Sequence, residues 1–326
     1  MPDPTDHRPV IHVLTVHWND SRWIPCQIRH LRSNVKGPHR LWAFLNGLDD
    51  TEYEHWKDSF HFTNRQPIEE HSLKLNLLAD LVAEAADTRP DDILLFLDGD
   101  AFPIAPIDDW LRQQLAEVPL VAVQRRENLG DRQPHPSFAA TTVGFWQGIG
   151  GTWIDGHTWT NSLGQQVTDV GGNLLAILEK HGIEWRPLLR SNKHDIHPVL
   201  FGVYGDVVYH HGAGFYKTVG GRIGREALRQ QAAILDRKLG ARLRLRLPRR
   251  KRWKHLRRNR PAVKMHQEVR RNVAAMSKAV YEQIVTDQDF HLGLTDPESG
   301  KPLSKWRLEL VPEKWLLPSQ RRARSG

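Results

Sequence analysis

Two aspartates separated by one glycine close the stretch DDILLFLDGDAFPI, residues Asp91–Ile104. Residues i and i+2 of an extended chain project to the same side, so Asp98 and Asp100 can face one cation, with Gly99 permitting the tight backbone between them. Paired carboxylates suit Mg²⁺ or Mn²⁺. A solvated acidic turn has the same local pattern, so the flanking elements have to decide between the two. The preceding run, Ile93–Leu97, is continuously apolar and bounded by Asp91-Asp92 and Pro103. That is how a strand buried on both faces of a parallel sheet reads. Ligands of open α/β sheets bind outside the carboxyl ends of such strands, which is where both aspartates fall.

A second candidate group is the pair His210-His211 in VVYHHGAG. Accidental pairs are common in a chain with 18 histidines, and strand alternation allows only one of two neighbours to face a given site. The histidines of KHDIHP, Lys193–Pro198, read as loop residues.

The elements that must position these groups follow a β/α rhythm. VIHVLTVHW (Val10–Trp18) is a strand and Trp23–Leu31 a helix, the opening of many nucleotide-binding sheets. His39–Gly47 and Phe60–Asn64 read as further strands. Glu69–Ala86 reads as a helix with Leu73, Leu77, Leu78 and Leu81 at helical spacing. After the aspartate strand, PIDDWLRQQLAE is a helix with Pro106 near its start, and PLVAVQRRE is a strand. Pro134–Gly172, rich in Gly, Thr, Trp and Ser, reads as irregular structure around one or two strands. Thr168–Ile183 is a helix with Thr168 or Asp169 as cap and Gly182 as stop. Beyond Arg225 the chain becomes helical and basic, with Pro248 and Pro261 as breaks.

LFLDGDAFPI, TDVGGNLLAILEKHG and YHHGAG, in that order, resemble the GT-A glycosyltransferases, over roughly residues 10–217. The resemblance implies an α/β, Rossmann-related, mostly parallel mixed sheet flanked by helices. It assigns a catalytic domain to 1–224 and leaves 225–326 as a basic, mainly helical appendage. It implies a nucleotide-sugar donor whose diphosphate is gripped by Mn²⁺ or Mg²⁺, with Asp98, Asp100 and His210 or His211 as ligands. Asp100 takes the closer role, while Asp98 reaches the ribose or a metal-bound water. Inverting members place a carboxylate at a helix start beside the acceptor, which makes Asp169 the catalytic base here. The commonest inverting pattern has Glu-Asp where this chain has Thr168-Asp169, so the stereochemical outcome stays open. Position alone puts Thr15, His17 and Trp18 beneath the nucleotide base, Gly99 against the donor, and Lys74 and Asn76 near the ribose or sugar.

Composition limits the partners. The apolar fraction and twelve tryptophans exclude a disordered chain, and no apolar run reaches the roughly 20 residues of a bilayer span. The N-terminus has no charged start followed by an apolar stretch, and the lone Cys26 fits a reducing cytoplasm, so the expected location is cytoplasmic. The net charge of +8 is local: Arg237–Arg260 holds 13 of the 46 Lys and Arg and no acid. That segment reads as a solvated tail, as a contact with anionic lipid at the inner membrane face, or as a grip on a polyanionic acceptor such as nucleic acid. A saccharide, lipid-linked or envelope acceptor is favoured, because Trp253 alone interleaves the charges. A glycosyltransferase acting on modified bases of nucleic acid is the alternative. A phosphohydrolase would require a second ligand cluster that the sequence does not display. A non-catalytic nucleic-acid-binding protein would leave LFLDGDAFPI without a role.

Overall fold

The computed structural model describes residues 8–162, 164–212, 237, 261–296 and 298. Two compact units divide the chain, Met1–Lys193 with Phe201–Phe215 and His194–Leu200 with Tyr216–Gly326. The expected boundary at 224/225, the break at Pro248 and residues 238–260 of the basic segment lie outside the described residues.

The first unit runs β1 (Ile11–Trp18), α1 (Trp23–Asn34), β2 (His39–Asn46), α2 (Asp50–Trp56), β3 (Phe62–Asn64), α3 (His71–Glu84), β4 (Ile93–Asp98), β5 (Ala101–Pro103), α4 (Asp108–Glu117) and β6 (Leu120–Val123). It continues with β7 (His135–Thr142), α5 (Val143–Ile149), β8 (Trp159–Thr160), β9 (Gln166–Val167), α6 (Gly172–His181), β10 (Arg186–Leu188), β11 (Gly202–Tyr204) and β12 (Val208–His210). Seven strands form the main sheet in the order β10-β6-β7-β4-β1-β2-β3. Its pairings are parallel except those of β7, which is antiparallel to both β4 and β6. This is the expected α/β class with a mostly parallel mixed sheet. A small antiparallel sheet, β11-β12-β5, stands beside it, and β8 pairs with β9.

β4 shows why the apolar run had to be central. Ile93, Leu95 and Leu97 enter one core with Leu31 of α1 and Ile107 and Leu111 at α4. Leu94 and Phe96 enter the opposite core with Leu75, Leu78 and Val82 of α3, Trp146 of α5 and Leu174 and Leu178 of α6. Both faces are covered by helices, so every strand position up to Leu97 is apolar.

Of the spaced leucines of α3, Leu78 is buried and Leu77 and Leu81 pack half-buried against the same core, while Leu73 is exposed. The region expected to hold one or two strands in irregular structure contains β7, a central strand of the main sheet. Its small residues Ala139, Ala140 and Thr141 hide the usual strand signal, while Trp146 and Trp153 fill the core over Ala139. α6 begins at Gly172 with Gly171 before it at φ 86°, so neither Thr168 nor Asp169 caps it; Gly182 does terminate it. α2 went unread although Asp49 and Glu52 form a reciprocal capping box there.

Of the second unit, α7 (Pro261–Thr286) and α8 (Leu292–Thr295) are described. Pro261, expected as a break, is the first described residue of α7. Met265, Val269, Val273, Met276, Val280 and Ile284 are buried at intervals of three and four along α7, a single apolar stripe. None of the described helices is long and apolar enough to cross a membrane.

Candidate metal centre

β4 pairs with β1 as far as Asp98 opposite Val16, and there the chain turns. A side chain on Gly99 would meet Val16 O at 2.6 Å and His17 Nδ1 at 2.9 Å, so only glycine lets the turn lie against β1. Gln27 of α1 braces this turn, its Nε2 donating to Asp98 O at 2.9 Å and to Ala101 O at 2.8 Å. Because that amide nitrogen is the donor, Gln27 Oε1 accepts, and His17 Nε2 is the proton donor across their 3.2 Å contact. Buried as it is, His17 is pushed down to about 4 and stays neutral, with the Gln27 contact and Asp100 opposing the shift.

The second half of the site arrives from far along the chain. β5 pairs antiparallel with β12, placing His210 opposite Ala101, and His211 N donates to Asp100 O at 3.1 Å. Asp98, Asp100 and His210 thereby offer ligand atoms that all lie within 4.8 Å of one another. His210 Nε2 lies 3.4 Å from Asp98 Oδ2 and 3.5 Å from Asp100 Oδ1. His71, the first residue of α3, brings its Nε2 to 3.2 Å from Asp98 Oδ1. His135, the first residue of β7, stacks at a tilt 5.9 Å from the His210 ring.

Burial alone would raise both carboxyls, but the surrounding histidines outweigh it. His71, His210 and His135 hold Asp98 well below the usual carboxylate range. His210 does the same for Asp100 against the charge of Asp98, with a smaller contribution from His211. Both aspartates are therefore anions in a confined space. Asp98 Oδ1 is buried and faces His71 Nε2 at 3.2 Å, while Oδ2 faces His210. Two carboxylates and one imidazole with ligand atoms this close fit a divalent metal. They open on a cavity of about 340 Å³ lined by His17, Trp18, Asp20, Trp23, His71 and His135, among others.

The residues singled out in the sequence scatter around this centre. Asp98, Gly99, Asp100, His17 and Trp18 line the cavity. His210 joins the carboxylates. His211 points elsewhere: fully buried, it packs against Trp23 and Phe201 and meets Tyr209 OH at 2.9 Å through Nδ1. Thr15 is buried inside β1 and is not among the residues lining the cavity. Lys74 is buried with Nζ 4.0 Å from the Trp18 ring, and burial draws it down to about 8 against the charge of Glu70. Asn76 is spent on structure, donating to Thr152 Oγ1 and accepting from Trp153 N. Asp169 lies in the half-buried loop before α6, its Oδ1 accepting from Val170 N at 3.0 Å; the adjacent Val170 lines the cavity. Gly171 fixes that loop, since a Cβ there would meet Pro134 O at 2.1 Å.

Sequence reasoning missed His71, His135, Asp20 and Gln27. For His71 a signal existed, because it opens the helix preceding the aspartate strand. For His135 there was none until β7 was known to run antiparallel, which carries its first residue to the carboxyl end of β4.

No family model and no curated protein matches the chain. Among solved structures it is similar to the mannosyltransferase PcManGT of Pyrobaculum calidifontis in complex with GDP-Man and Mn²⁺, at 16% identity and TM-score 0.35 over 46% of this chain and 49% of that one. It is also similar to S. aureus TarS 1–349 in complex with UDP-GlcNAc, at 10% identity and TM-score 0.32 over 44% and 48%. The galactosyltransferase LgtC, in complex with donor and acceptor sugar analogues, gives 11% identity and TM-score 0.33 over 54% and 73%. The chain thus spans about half the length of the first two.

Proposed function

We propose that this chain is a metal-dependent glycosyltransferase, moving a sugar from a nucleoside-diphosphate sugar to an acceptor hydroxyl. The observation that carries the reading is the convergence of Asp98, Asp100 and His210 at the carboxyl end of β4, where both aspartates line the cavity. These three residues would hold the cation, which supplies neutralisation of the diphosphate charge as the glycosidic bond breaks. An imidazole in the donor set favours Mn²⁺ over Mg²⁺.

The chain's own residues divide the remaining work. Gln27 and His17 hold the Asp98–Ala101 turn in one conformation, so the two carboxylates are positioned before ligand arrives. Trp18, steadied by Lys74, offers a flat apolar wall of the cavity for the nucleotide end of the donor. Asp169 is the base that takes the acceptor proton; Asp169→Asn is expected to lower turnover by roughly 10²- to 10⁴-fold with donor affinity unchanged, and full turnover would remove it from that role.

For the acceptor we favour a saccharide or an envelope glycan or lipid, engaged with help from the basic segment 237–260. Neutralising Arg249, Arg250, Arg252, Arg257 and Arg258 should then reduce binding to anionic vesicles while sparing the donor; loss of DNA binding alone would point to a nucleic-acid acceptor instead.

The decisive experiment is release of nucleoside diphosphate from a panel of nucleotide sugars, with Mn²⁺ and with chelator. Release that requires metal and disappears in Asp100→Ala, with the fold intact, is the expected outcome. Metal-independent release, or wild-type release in Asp100→Ala, would overturn the reading.

A further inference from the structure

We infer that His135 is a donor-site residue that gives a hydrogen bond from Nε2 to an anionic oxygen of the metal-held nucleoside diphosphate. This rests on the function proposed above and adds a contact that the metal ligands do not supply.

The backbone sets the state of the ring. Ser137 N donates to His135 Nδ1 at 3.1 Å, and a backbone amide can only donate, so Nδ1 holds a lone pair and the ring proton sits on Nε2. The imidazole is therefore a neutral donor at Nε2. It is equally prevented from ligating a metal there, because coordination through Nε2 would move the proton to Nδ1 and break the Ser137 bond. Nε2 makes no hydrogen bond to a described residue.

The strand around it is shaped to present this ring. Ala122 of β6 pairs with Ala139, but the next residue, Val123, pairs with His135, so Pro136–Phe138 are passed over on the β6 side while Phe138 stays paired with Leu97 of β4. A bulge of this kind re-aims a side chain at the end of a strand. Here it brings both His135 and Pro136 to the cavity wall. The His135 and His210 ring centroids are 5.9 Å apart, so His135 stands beside the imidazole that would hold the ion.

The test separates metal from diphosphate. Mn²⁺ binding is titrated first without nucleotide, by the loss of the free-ion electron spin resonance signal, in wild type, His135→Phe, His135→Gln and Asp100→Ala. UDP and GDP are then titrated calorimetrically at saturating Mn²⁺, with the thermal midpoint of each apo variant recorded. The expected result is Mn²⁺ affinity within about twofold of wild type in both His135 variants, and diphosphate affinity lowered by roughly tenfold or more in His135→Phe, the size of a lost hydrogen bond to a charged group. His135→Gln, which keeps an amide donor near the Nε2 position, should recover most of it. Three results would overturn the inference: weakened Mn²⁺ binding in folded His135→Gln, unchanged diphosphate affinity in His135→Phe, or a deficit seen with nucleotide sugar but not with the free diphosphate. If Asp100→Ala binds Mn²⁺ as wild type does, the metal centre itself is misassigned; if only the His135 variants behave as wild type, the centre stands and this contact does not.

Discussion

The two ends of the β1–β4 pair carry the same residue types and do opposite things. At the amino end, Asp92 accepts Val10 N at 2.8 Å and Arg89 N at 2.9 Å and faces His12 Nε2 at 3.5 Å, while Trp42 Nε1 closes the other side of His12 at 3.1 Å. Both side chains are 1% exposed. At the carboxyl end, the Asp98 carboxylate meets the His71 and His210 side chains, stands beside Asp100, and is 17% exposed to a cavity. A carboxylate fixed by backbone N–H groups is finished by folding. One that faces imidazoles and a second carboxylate at a cavity wall has groups around it that can exchange a proton for a cation.

The sharpest way to break this comparison is to truncate both carboxylates. Asp98→Ala should abolish stabilisation by nucleoside diphosphate plus Mn²⁺ while the apo protein melts near the wild-type temperature. Asp92→Ala should leave Mn²⁺ affinity unchanged and cost about 2 kcal/mol of folding stability, since two part-buried N–H groups and the buried His12 lose their partner. Denaturant melts beside metal titrations would check both. An Asp92→Ala variant that folds normally but loses metal would erase the distinction.

A smaller effect separates the adjacent histidines. His210→Ala is expected to weaken Mn²⁺ binding by at least about tenfold, whereas His211→Ala should keep the affinity and lose roughly 2 kcal/mol from the packing against Trp23 and Phe201. Equal metal titrations for the two variants would argue against His210 as a ligand.

The gentlest probe is pH. Burial holds His17 at about 4 and His211 at about 3, both below the ordinary histidine value of about 6.5 that applies in the unfolded chain. The unfolded state therefore binds more protons as pH falls, so their contribution is complete above about pH 6.5 and is lost on acidification toward those folded values, on the order of 1–2 kcal/mol per group by pH 5. Chemical denaturation at pH 7.5 and 5 should show this decline, with a shallower one in His211→Phe. An identical slope in that variant would mean that His211 titrates freely.

Much of the framework was legible because it is local. β1, α1, β2, β3, α3, β4, α4 and β6 announce themselves through runs of apolar residues or their helical spacing. β7 did not, because Ala139, Ala140 and Thr141 look like loop residues until large side chains from α5 and the following loop are known to cover them. For α3, leucine spacing identifies the helix, but which of its apolar residues turns fully inward depends on the sheet it meets.

By itself the sequence determined where the candidate carboxylates stand, Asp98 and Asp100 at the end of a doubly covered strand, because an uninterrupted apolar run followed by Asp-Gly-Asp leaves them nowhere to go but the strand's carboxyl end. It also narrowed the candidate third ligand to two adjacent histidines. Tertiary structure alone showed which of them meets the aspartates, through the Ala101–His210 register that turns His210 to them and His211 into the packing. It brought in His71, and it alone supplied His135 and Gln27, the three approaching from different elements. Those choices depend on strand direction, strand register and helix rotation, quantities set by long-range packing that no local run of residues encodes.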